Sequence, residues 1–519
     1  MADPVYRVDQ VRALDEQTIA SGASALSLME EAGLAAYHCL LKHWPKVSAL
    51  VVFCGPGNNG GDGYVLARLA TEGGLPSTVV ALSGQKRREG AAFDSRARAV
   101  ESGVTEVDDL SFITEPGVAD GQTVFVDAMF GAGFRGQLQN RFAEAAMFLS
   151  RQSARVLALD IPSGLDADTG VACQPAVRAG VTVTFIGRKL GLLTGDGAEY
   201  SGQVEFAALS VPDKLRSTIE SSAKTLTLHD VLPLRPGRTA NFHKGKAGKT
   251  LIIAGNSGMG GAAILAAEAA SRSGAGTVNL FTHPDHVNAS LVRCPTVMVR
   301  GVGLTQAEPR HDLKENQLSI YEAANAVVVG PGLGRDDWAE AWLEWLPLQS
   351  PKPLVVDADA LNIIASNSNP SEDFRRLNKA GLVITPHPGE AARLLGCEAK
   401  EIQSDRYEAV RELVRLTGAV VILKGAGSLV GWLDSQQKLQ VEVCLAGNPG
   451  MASGGMGDVL SGFLGSLLAQ GLDVVAASRL GCFLHSAAAD RLAESNGKTG
   501  LLASDLPPMI RHLMNVGTV

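Results

Sequence analysis

Two doubly wound α/β domains in tandem are what the sequence predicts, and three observations predict them. Strand-length apolar runs alternate with helix-length segments from Ala49 to Ile186 and again from Thr250 to Lys424. The runs end in Gly-rich turns carrying polar residues, which is how the carboxyl edge of a parallel sheet reads. Between the two alternations, Val211 to Arg238 loses its periodicity and carries Pro212, Pro233 and Pro236, so a boundary falls near 220–235. The expected domains are 1–222 and 223–519.

A length of 519 residues accommodates roughly two to four domains. With 45% apolar and 19% charged residues, the chain can build large cores and does not read as disordered. A formal net charge of −8 leaves no broad electrostatic reason to bind nucleic acid or an anionic membrane, although a local basic pocket is compatible with it. Cys39, Cys54, Cys173, Cys294, Cys397, Cys444 and Cys482 are scattered, with no Cys-x-x-Cys pair. That pattern fits buried thiols in a reducing compartment, not a disulfide frame or a zinc site. The opening Met1-Ala-Asp-Pro-Val-Tyr-Arg7 is too polar for a signal peptide, and the most apolar helical run, Val459 to Leu472, is too short to span a bilayer. A cytoplasmic protein is expected.

In the first half, Val8 to Leu41 reads as helical. Ala49-Leu-Val-Val-Phe-Cys54 is a buried strand, followed by the turn Gly55 to Gly63 and a helix from Tyr64 to Glu72. Further strands are expected at Ser77–Leu82, Thr123–Asp127, Arg155–Asp160 and Gly180–Ile186, joined by right-handed crossovers. Three strand ends carry Asn58, Asn59 and Asp62, then Asp127 with Gly131 to Gln137, then Asp160 with Ser163. Each alone is ordinary turn chemistry. Together on one edge of one sheet they define a candidate site.

Gly55-x-Gly57-x-x-Gly60 matches a dinucleotide fingerprint, but the second strand ends in Leu82-Ser83-Gly84 without the carboxylate that would hold a ribose. The wording Gly57-Asn-Asn-Gly-Gly-Asp-Gly63, with Asp127 and Asp160-Ile-Pro-Ser163, instead resembles the epimerases acting on hydrated NAD(P)H, over about the first 220 residues. That resemblance implies a Rossmann-like three-layer sandwich and a potassium ion held by Asn59, Asp127 and Ser163. All three are hard oxygen donors, as an alkali cation needs. It also implies substrate contacts at Asn58, Asn59, Gly60, Gly61 and Asp62, and at Gly131, Ala132, Gly133, Phe134, Arg135, Gly136 and Gln137. Asp160 carries over as both a substrate contact and a catalytic residue.

The second half opens with Asn241 to Thr250, which is no P-loop: the required first Gly is His243, and the segment precedes a strand. Strands are expected at Thr250–Ala254, Gly276–Phe281, Ala326–Gly330, Pro353–Asp357, Leu382–Thr385, Ala419–Lys424 and Leu439–Leu445. Lys424-Gly-Ala-Gly-Ser428 offers backbone donors and one cation at a strand end, which suits a nucleotide phosphate. His387 and Glu390 stand three apart; a satisfied structural histidine and a ligand site are both open there. His283 and His286 share that spacing, and the structural reading is preferred for them. In Gly455-Met-Gly-Asp458, glycines lead into an apolar helix whose free N–H groups and positive dipole end suit an anion. Asp458 itself reads either as a helix cap or as a base taking a proton from a substrate hydroxyl.

Gly455-Met-Gly-Asp458 resembles the anion-hole turn of ribokinase-like enzymes. The fuller Asn448-Pro-Gly-Met-Ala-Ser-Gly-Gly-Met-Gly-Asp458 is similar to the ADP- or ATP-dependent dehydratases that repair hydrated NAD(P)H. His387-Pro-Gly-Glu390 replaces the metal-linked Asn-x-x-Glu of the wider superfamily, as the dehydratase resemblance implies. It further implies a ribokinase-like second domain with hydrated-nicotinamide contacts at Ala262, Gly332, His387 and Asp458. Nucleotide contacts fall on Lys424, Gly425, Ala426, Gly427, Ser428 and Gly457, with Asp458 as catalytic base. The expected function is therefore bifunctional: epimerisation of NADHX and NADPHX, and dehydration of the S epimer at the expense of ADP, with magnesium. A homo-oligomer is expected. The alternative is a vitamin or sugar-alcohol kinase joined to a non-catalytic Rossmann-like module.

Overall fold

A computed structural model describes residues 3–82, 90–114, 121–303 and 315–516 of the chain. Ser83 and Gly84, which end the run where a ribose carboxylate was sought, lie outside the described residues. The chain forms two compact units, one of Pro4–Lys224 and one running from Thr225 onward that also takes in Asp3.

In the first unit, strands stand in the order Thr105–Val107, Ser77–Ala81, Ala49–Cys54, Thr123–Ala128, Val156–Leu159, Val181–Phe185 and Gln203–Ala207. Every neighbouring pair among these is parallel. Ala49–Cys54 shows no apolar alternation because both faces are covered. Val51 and Phe53 join one core with Phe125, while Leu50 and Val52 join the other with Val124 and Val126. Helix Asn140–Arg151 packs on the first face; helices Ala25–His43 and Asn58–Glu72 pack on the second. The result is a three-layer sandwich, with strand order reversing between Ala49–Cys54 and Thr123–Ala128.

Two expectations need correction here. The helix expected across Val8 to Leu41 is two, Val8–Ala20 and Ala25–His43. The break falls at Gly22, whose φ of 115° favours glycine, and at Ser24, whose hydroxyl caps the second helix. The helix expected from Tyr64 begins at Asn58. Its glycines answer close packing instead of an irregular turn: a Cβ on Gly60 would collide with the Gly55 carbonyl, and one on Gly63 would stand 2.6 Å from Ala128 Cβ. Asn58 to Asp62 are therefore residues of the helix's first turns.

In the second unit, the parallel strands are Met298–Gly301, Thr277–Thr282, Lys249–Ile253, Ala326–Val329, Leu354–Val356, Leu382–Ile384 and Val420–Leu423, in that spatial order. Leu429–Leu433 and Leu439–Cys444 follow as antiparallel strands. The first of these was not anticipated. Gly425 and Gly427, at φ of 140° and 60°, let the chain reverse between Val420–Leu423 and Leu429–Leu433. Helix Met456–Ala469 is apolar almost all round because it lies between the sheet and other helices: Val459, Phe463 and Leu467 share one core with Ile252, Val328 and Val355. A Cβ on Gly462 would collide with the backbone of Ala266 in helix Gly260–Arg272, so those two helices touch closely. Six of the seven cysteines are buried. No described helix is long and apolar enough to cross a membrane.

Candidate active sites

The first site lies where the strand order of the first unit reverses. Asp160 follows strand Val156–Leu159 with a φ of 66°, a conformation that aspartate tolerates better than most residues. Its Oδ2 accepts from the Ala132 amide at 3.0 Å and its Oδ1 from the Phe185 amide at 3.4 Å. Lys189 Nζ also donates to Oδ1. Lys189 is 1% exposed, and its ammonium is completed by Thr184 Oγ1 at 3.1 Å and the Phe185 carbonyl at 2.7 Å. A Cβ on Gly131 would stand 3.2 Å from Asp160 Oδ2 and 3.5 Å from Asn59 Cβ, so these three residues share one floor. Burial pushes the Asp62 carboxyl well above the usual range, and Asp160 and Asp15 push it further against the pull of Lys189. Asp15 is itself raised, by burial and by Glu16.

Beside this pair sit the three expected cation ligands. Asp127 is fully buried; its Oδ1 accepts from Ser163 Oγ at 2.7 Å and the Met129 amide at 3.2 Å, and its Oδ2 from the Ser163 amide at 2.7 Å. Burial drives its carboxyl up to about 6, against those hydrogen bonds. Ser163 Oγ also accepts from the Phe130 amide at 3.0 Å. Asn59 is buried, and neither its side-chain oxygen nor its nitrogen has a hydrogen-bond partner among the described residues. A buried amide without a partner carries a desolvation cost that a ligand would offset. A neutral amide oxygen, a hydroxyl and a buried carboxylate are a fitting donor set for a hard monovalent cation.

The loop Gly131 to Gln137 turns through a Phe134 amide bond to the Gly131 carbonyl at 3.0 Å. The Phe134 ring lies tilted against that of Phe130, with centroids 5.1 Å apart, and Gly133, Gly136 and Gln137 are exposed. Arg135 is held by Asp168 at 2.6 Å and Asp166 at 3.5 Å. Asn58 is exposed at the helix start, with Gly60, Gly61 and Asp62 in the turn after it.

The second site lies at the carboxyl edge of the second sheet. Helix Met456–Ala469 starts from Gly455 at φ 90° and has no side-chain cap hydrogen bond at its N-cap. Asp458 sits in its first turn. Burial, then Asp357, Asp359 and Glu390, push the Asp458 carboxyl up to about 7, against Lys424. Lys424 Nζ stands 3.0 Å from Asp357 Oδ1 and 3.8 Å from Glu390 Oε2. Burial alone would lower its pKa, but Asp357, Glu390 and Asp458 outweigh burial and hold it above the ordinary value. Asp357 is 1% exposed and takes a second bond, from Ser461 Oγ at 2.6 Å. A Cβ on Gly457 would lie 3.1 Å from Lys424 Nζ and 3.5 Å from Asp357 Oδ2. Glycine backbone, helix start and ammonium thus converge.

Lys424 to Ser428 are supported from beneath by Arg406. This buried guanidinium donates to the carbonyls of Leu423 and Lys424, both at 3.3 Å, and a Cβ on Gly425 would come within 2.8 Å of its Nη1. Burial lowers its pKa to about 10, which still leaves it charged. Ser428 Oγ donates to the Gly425 carbonyl at 3.0 Å, while Ala426 and Gly427 complete the turn. Gly332, at φ 55°, brings Ala262 close: a Cβ on it would be 2.9 Å from Ala262 Cβ.

His387 caps helix Pro388–Leu395. Its Nδ1 accepts from the amides of Gly389 at 2.9 Å and Glu390 at 3.3 Å, and Glu390 Oε2 accepts the His387 amide at 2.8 Å. Burial, with Lys424 and Arg393, lowers the imidazole pKa, so the ring is neutral with its proton on Nε2, 3.2 Å from Glu390 Oε1. His286 Nε2 lies 3.0 Å from the Asn256 carbonyl and is likewise occupied locally.

Lys189, Asp357, Arg406 and Ser461 received no role from the sequence, and Glu390 only the open ligand reading it shared with His387. Asp357 and Glu390 stood in strand-end loops and were open to notice. Lys189, in the two-residue strand Arg188–Lys189, Arg406 in a helix and Ser461 in an apolar run had no periodic or motif signal.

These features define an α/β enzyme with a carboxylate-bearing cluster at the carboxyl edge of each sheet, the second at a helix start where glycine backbone and the Lys424 ammonium converge. A family model described as NAD(P)H-hydrate dehydratase matches residues 250–511, and one described as YjeF-related protein N-terminus matches residues 25–191. The chain belongs to the family of bifunctional NAD(P)H-hydrate repair enzymes. It is 42% identical to the one from Coxiella burnetii over 98% of this chain and 99% of that one. It is 38% identical to the one from Escherichia coli over 98% and 94%. The ADP/ATP-dependent NAD(P)H-hydrate dehydratase of Bacillus subtilis, co-crystallised with ATP and Mg²⁺, aligns at 27% identity and a TM-score of 0.48, covering 56% of this chain and 96% of that one.

Proposed function

We propose that the two sites divide the repair of hydrated NAD(P)H between them, epimerising the hydrate in the first unit and dehydrating its S epimer in the second. Water added to the nicotinamide ring leaves a hydroxyl on C6. At the first site Asp62, favoured in its protonated form, gives a proton to that hydroxyl as it leaves, while the N1 lone pair forms the C6=N1 iminium. Water returns to the other face and loses a proton to Asp160, which Lys189 and the Ala132 amide hold in place; the reverse reaction exchanges the two roles. Asn59, Asp127 and Ser163 would hold potassium, which supplies a fixed positive charge beside the anionic nucleotide.

At the second site hydroxide is again a poor leaving group, and phosphorylation turns it into a good one. Asp458 takes the proton from the C6 hydroxyl as its oxygen attacks the terminal phosphorus of ADP, and AMP departs. The Gly455–Gly457 amides and Lys424 stabilise the charge on the moving phosphoryl group. The C6–O bond then breaks with release of phosphate, and loss of the C5 proton restores NAD(P)H. Magnesium bound with ADP would neutralise charge on its phosphates; Asp357 and Glu390 already face the Lys424 ammonium, at 3.0 and 3.8 Å. ADP is the expected donor from the resemblance to fused microbial forms.

The observation that carries the second assignment is Asp458 itself: a carboxyl pushed to about 7 in the first turn of a helix whose Gly457 backbone lies beside the Lys424 ammonium. A general base works best with a pKa near the operating pH. Incubating the full chain with both NADHX epimers and with ADP, ATP or neither tests the whole reading. ADP-dependent formation of NADH from both epimers, with AMP and phosphate in equal amounts, is expected. Phosphorylation of a vitamin or sugar alcohol without NADH formation would replace it with the kinase reading. Self-association and a cytoplasmic location complete the proposal; light scattering of the full chain reads the copy number.

A further inference from the structure

The second unit holds a cleft of about 1320 Å³ that belongs to neither candidate site. Ligand pockets commonly span roughly 300–1,000 Å³, so it has room for a nucleotide-sized molecule. It sits at the opposite edge of the sheet from Asp458. Helices here run back against the strands, so helix ends and strand starts share that edge. The cleft is lined by Arg272 and Arg293, the last residues of helices Gly260–Arg272 and Val287–Arg293, and by Gln470, just past helix Met456–Ala469. A helix of 14 residues is about 20 Å long at 1.5 Å per residue, and that length separates the cleft from the phosphate seat.

We propose that this cleft is a second anion site, built for the polyphosphate chain of a small phosphorylated ligand. Arg235, Arg238, Arg272, Arg293 and Arg511 line it against one carboxylate, Glu268. In a chain of formal charge −8 this is a local reversal of sign. Glu268 is 6% exposed and bridges Arg272 at 2.8 Å and Arg293 at 3.0 Å. It orients two guanidiniums and cancels one charge. Arg238 donates to the Gly274 carbonyl at 2.7 Å, and Arg235 to the Val516 carbonyl at 2.7 Å and the Leu513 carbonyl at 3.3 Å. Neutral acceptors leave those charges in place.

Completion of helix ends accounts for such contacts of Arg235 and Arg238, and Glu268 accounts for Arg272 and Arg293 while matching only one of their two charges; neither accounts for Arg511. A second observation is independent of charge. Ser273 lines the same cleft, is 3% exposed, and its hydroxyl has no hydrogen-bond partner among the described residues. Guanidinium groups recognise phosphate oxygens in a bidentate geometry, and several in one cleft favour a chain of phosphates over a single carboxylate.

The test titrates inorganic tripolyphosphate and ATP calorimetrically into the full chain, in the parent and in Lys424→Ala, which weakens the catalytic seat. Saturable binding that persists in Lys424→Ala is expected. Adding Arg511→Glu or, separately, Arg293→Glu should weaken it at least roughly tenfold. Both positions are exposed, and unchanged melting temperatures check folding. Dehydration by Arg511→Glu alone, without added tripolyphosphate, should match the parent. Equal affinities for the two probes assign recognition to the phosphate chain, and tighter ATP binding assigns a nucleotide occupant. Affinity unmoved by both reversals, or no saturable binding once Lys424 is removed, would overturn the site.

Discussion

Asp458 sits among Asp357, Asp359 and Glu390 with Lys424 as the opposing charge, and its carboxyl rises from the ordinary 3.8 to about 7. Asp458→Asn removes the proposed proton acceptor, so single-turnover dehydration of S-NADHX at saturating ADP should fall roughly 10²–10⁴-fold. Epimerisation should be untouched. In the parent, the same rate should climb with pH and level off above about 7, as the base form fills. Stability should move the other way. Because the folded carboxyl is the weaker acid, folding favours its protonated form, and that contribution is lost as pH rises through 7. The always-neutral Asn variant is therefore expected to match the parent's Tm near pH 3 and to exceed it at pH 8. A lower Tm at both values would make Asp458 a helix cap. At the first site, Asp127→Ala removes the charged member of the oxygen set around Asn59 and Ser163. Potassium-dependent epimerisation should be lost while dehydration of the pure S epimer continues. An epimerisation rate indifferent to potassium in the parent would refute the ligand assignment.

At the scale of single elements, helix Met456–Ala469 combines a buried apolar body with a glycine-bearing start that lies beside Lys424. Gly457 occupies a helical position, where alanine is intrinsically better by roughly 0.5–1 kcal/mol. Yet a Cβ there would stand 3.1 Å from Lys424 Nζ, in the proposed phosphate seat. Gly457→Ala should accordingly keep or raise the Tm while dehydration drops on the order of 10²-fold. A variant that is both stable and fully active would remove Gly457 from the nucleotide site. Helix Asn58–Glu72 teaches the complementary lesson. Its run of glycines looks like a loop in the sequence, but the packing of Gly60 on Gly55 and of Gly63 on Ala128 keeps it helical, which orients Asn59 and Asp62.

For the molecule as a whole, each compact unit owns its cores. Residues from Val8 to Tyr200 build the two layers around the first sheet, and residues from Leu226 to Leu513 build the core of the second. Separate cores predict separate folding. Met1–Ser222 and Thr225–Val519 expressed individually should yield an epimerase and a dehydratase, each with a cooperative melt. If neither fragment folds, or if each needs the other for activity, the two units are one folding domain.

Much of this was legible in the sequence by itself. Buried strands announce themselves as apolar runs, and polar residues beside glycines, as at Asn59, Asp127, Asp160 and Asp458, mark the carboxyl edge of a parallel sheet, because those properties are local. The resemblance carried by Asn448 to Asp458 named the family on the same local grounds. What only the tertiary structure decided is non-local. The short or polar strands Thr105–Val107 and Gln203–Ala207 exist because neighbours complete their hydrogen bonds. His387 caps a helix through Nδ1, a contact that its spacing from Glu390 does not reveal. Lys189 and Asp160 are 29 residues apart and become a buried pair, and Lys424 meets Asp357 across 67 residues. Charge, burial and pKa at a site depend on what the whole chain brings within a few ångströms, and spacing along one strand or helix does not contain that distance.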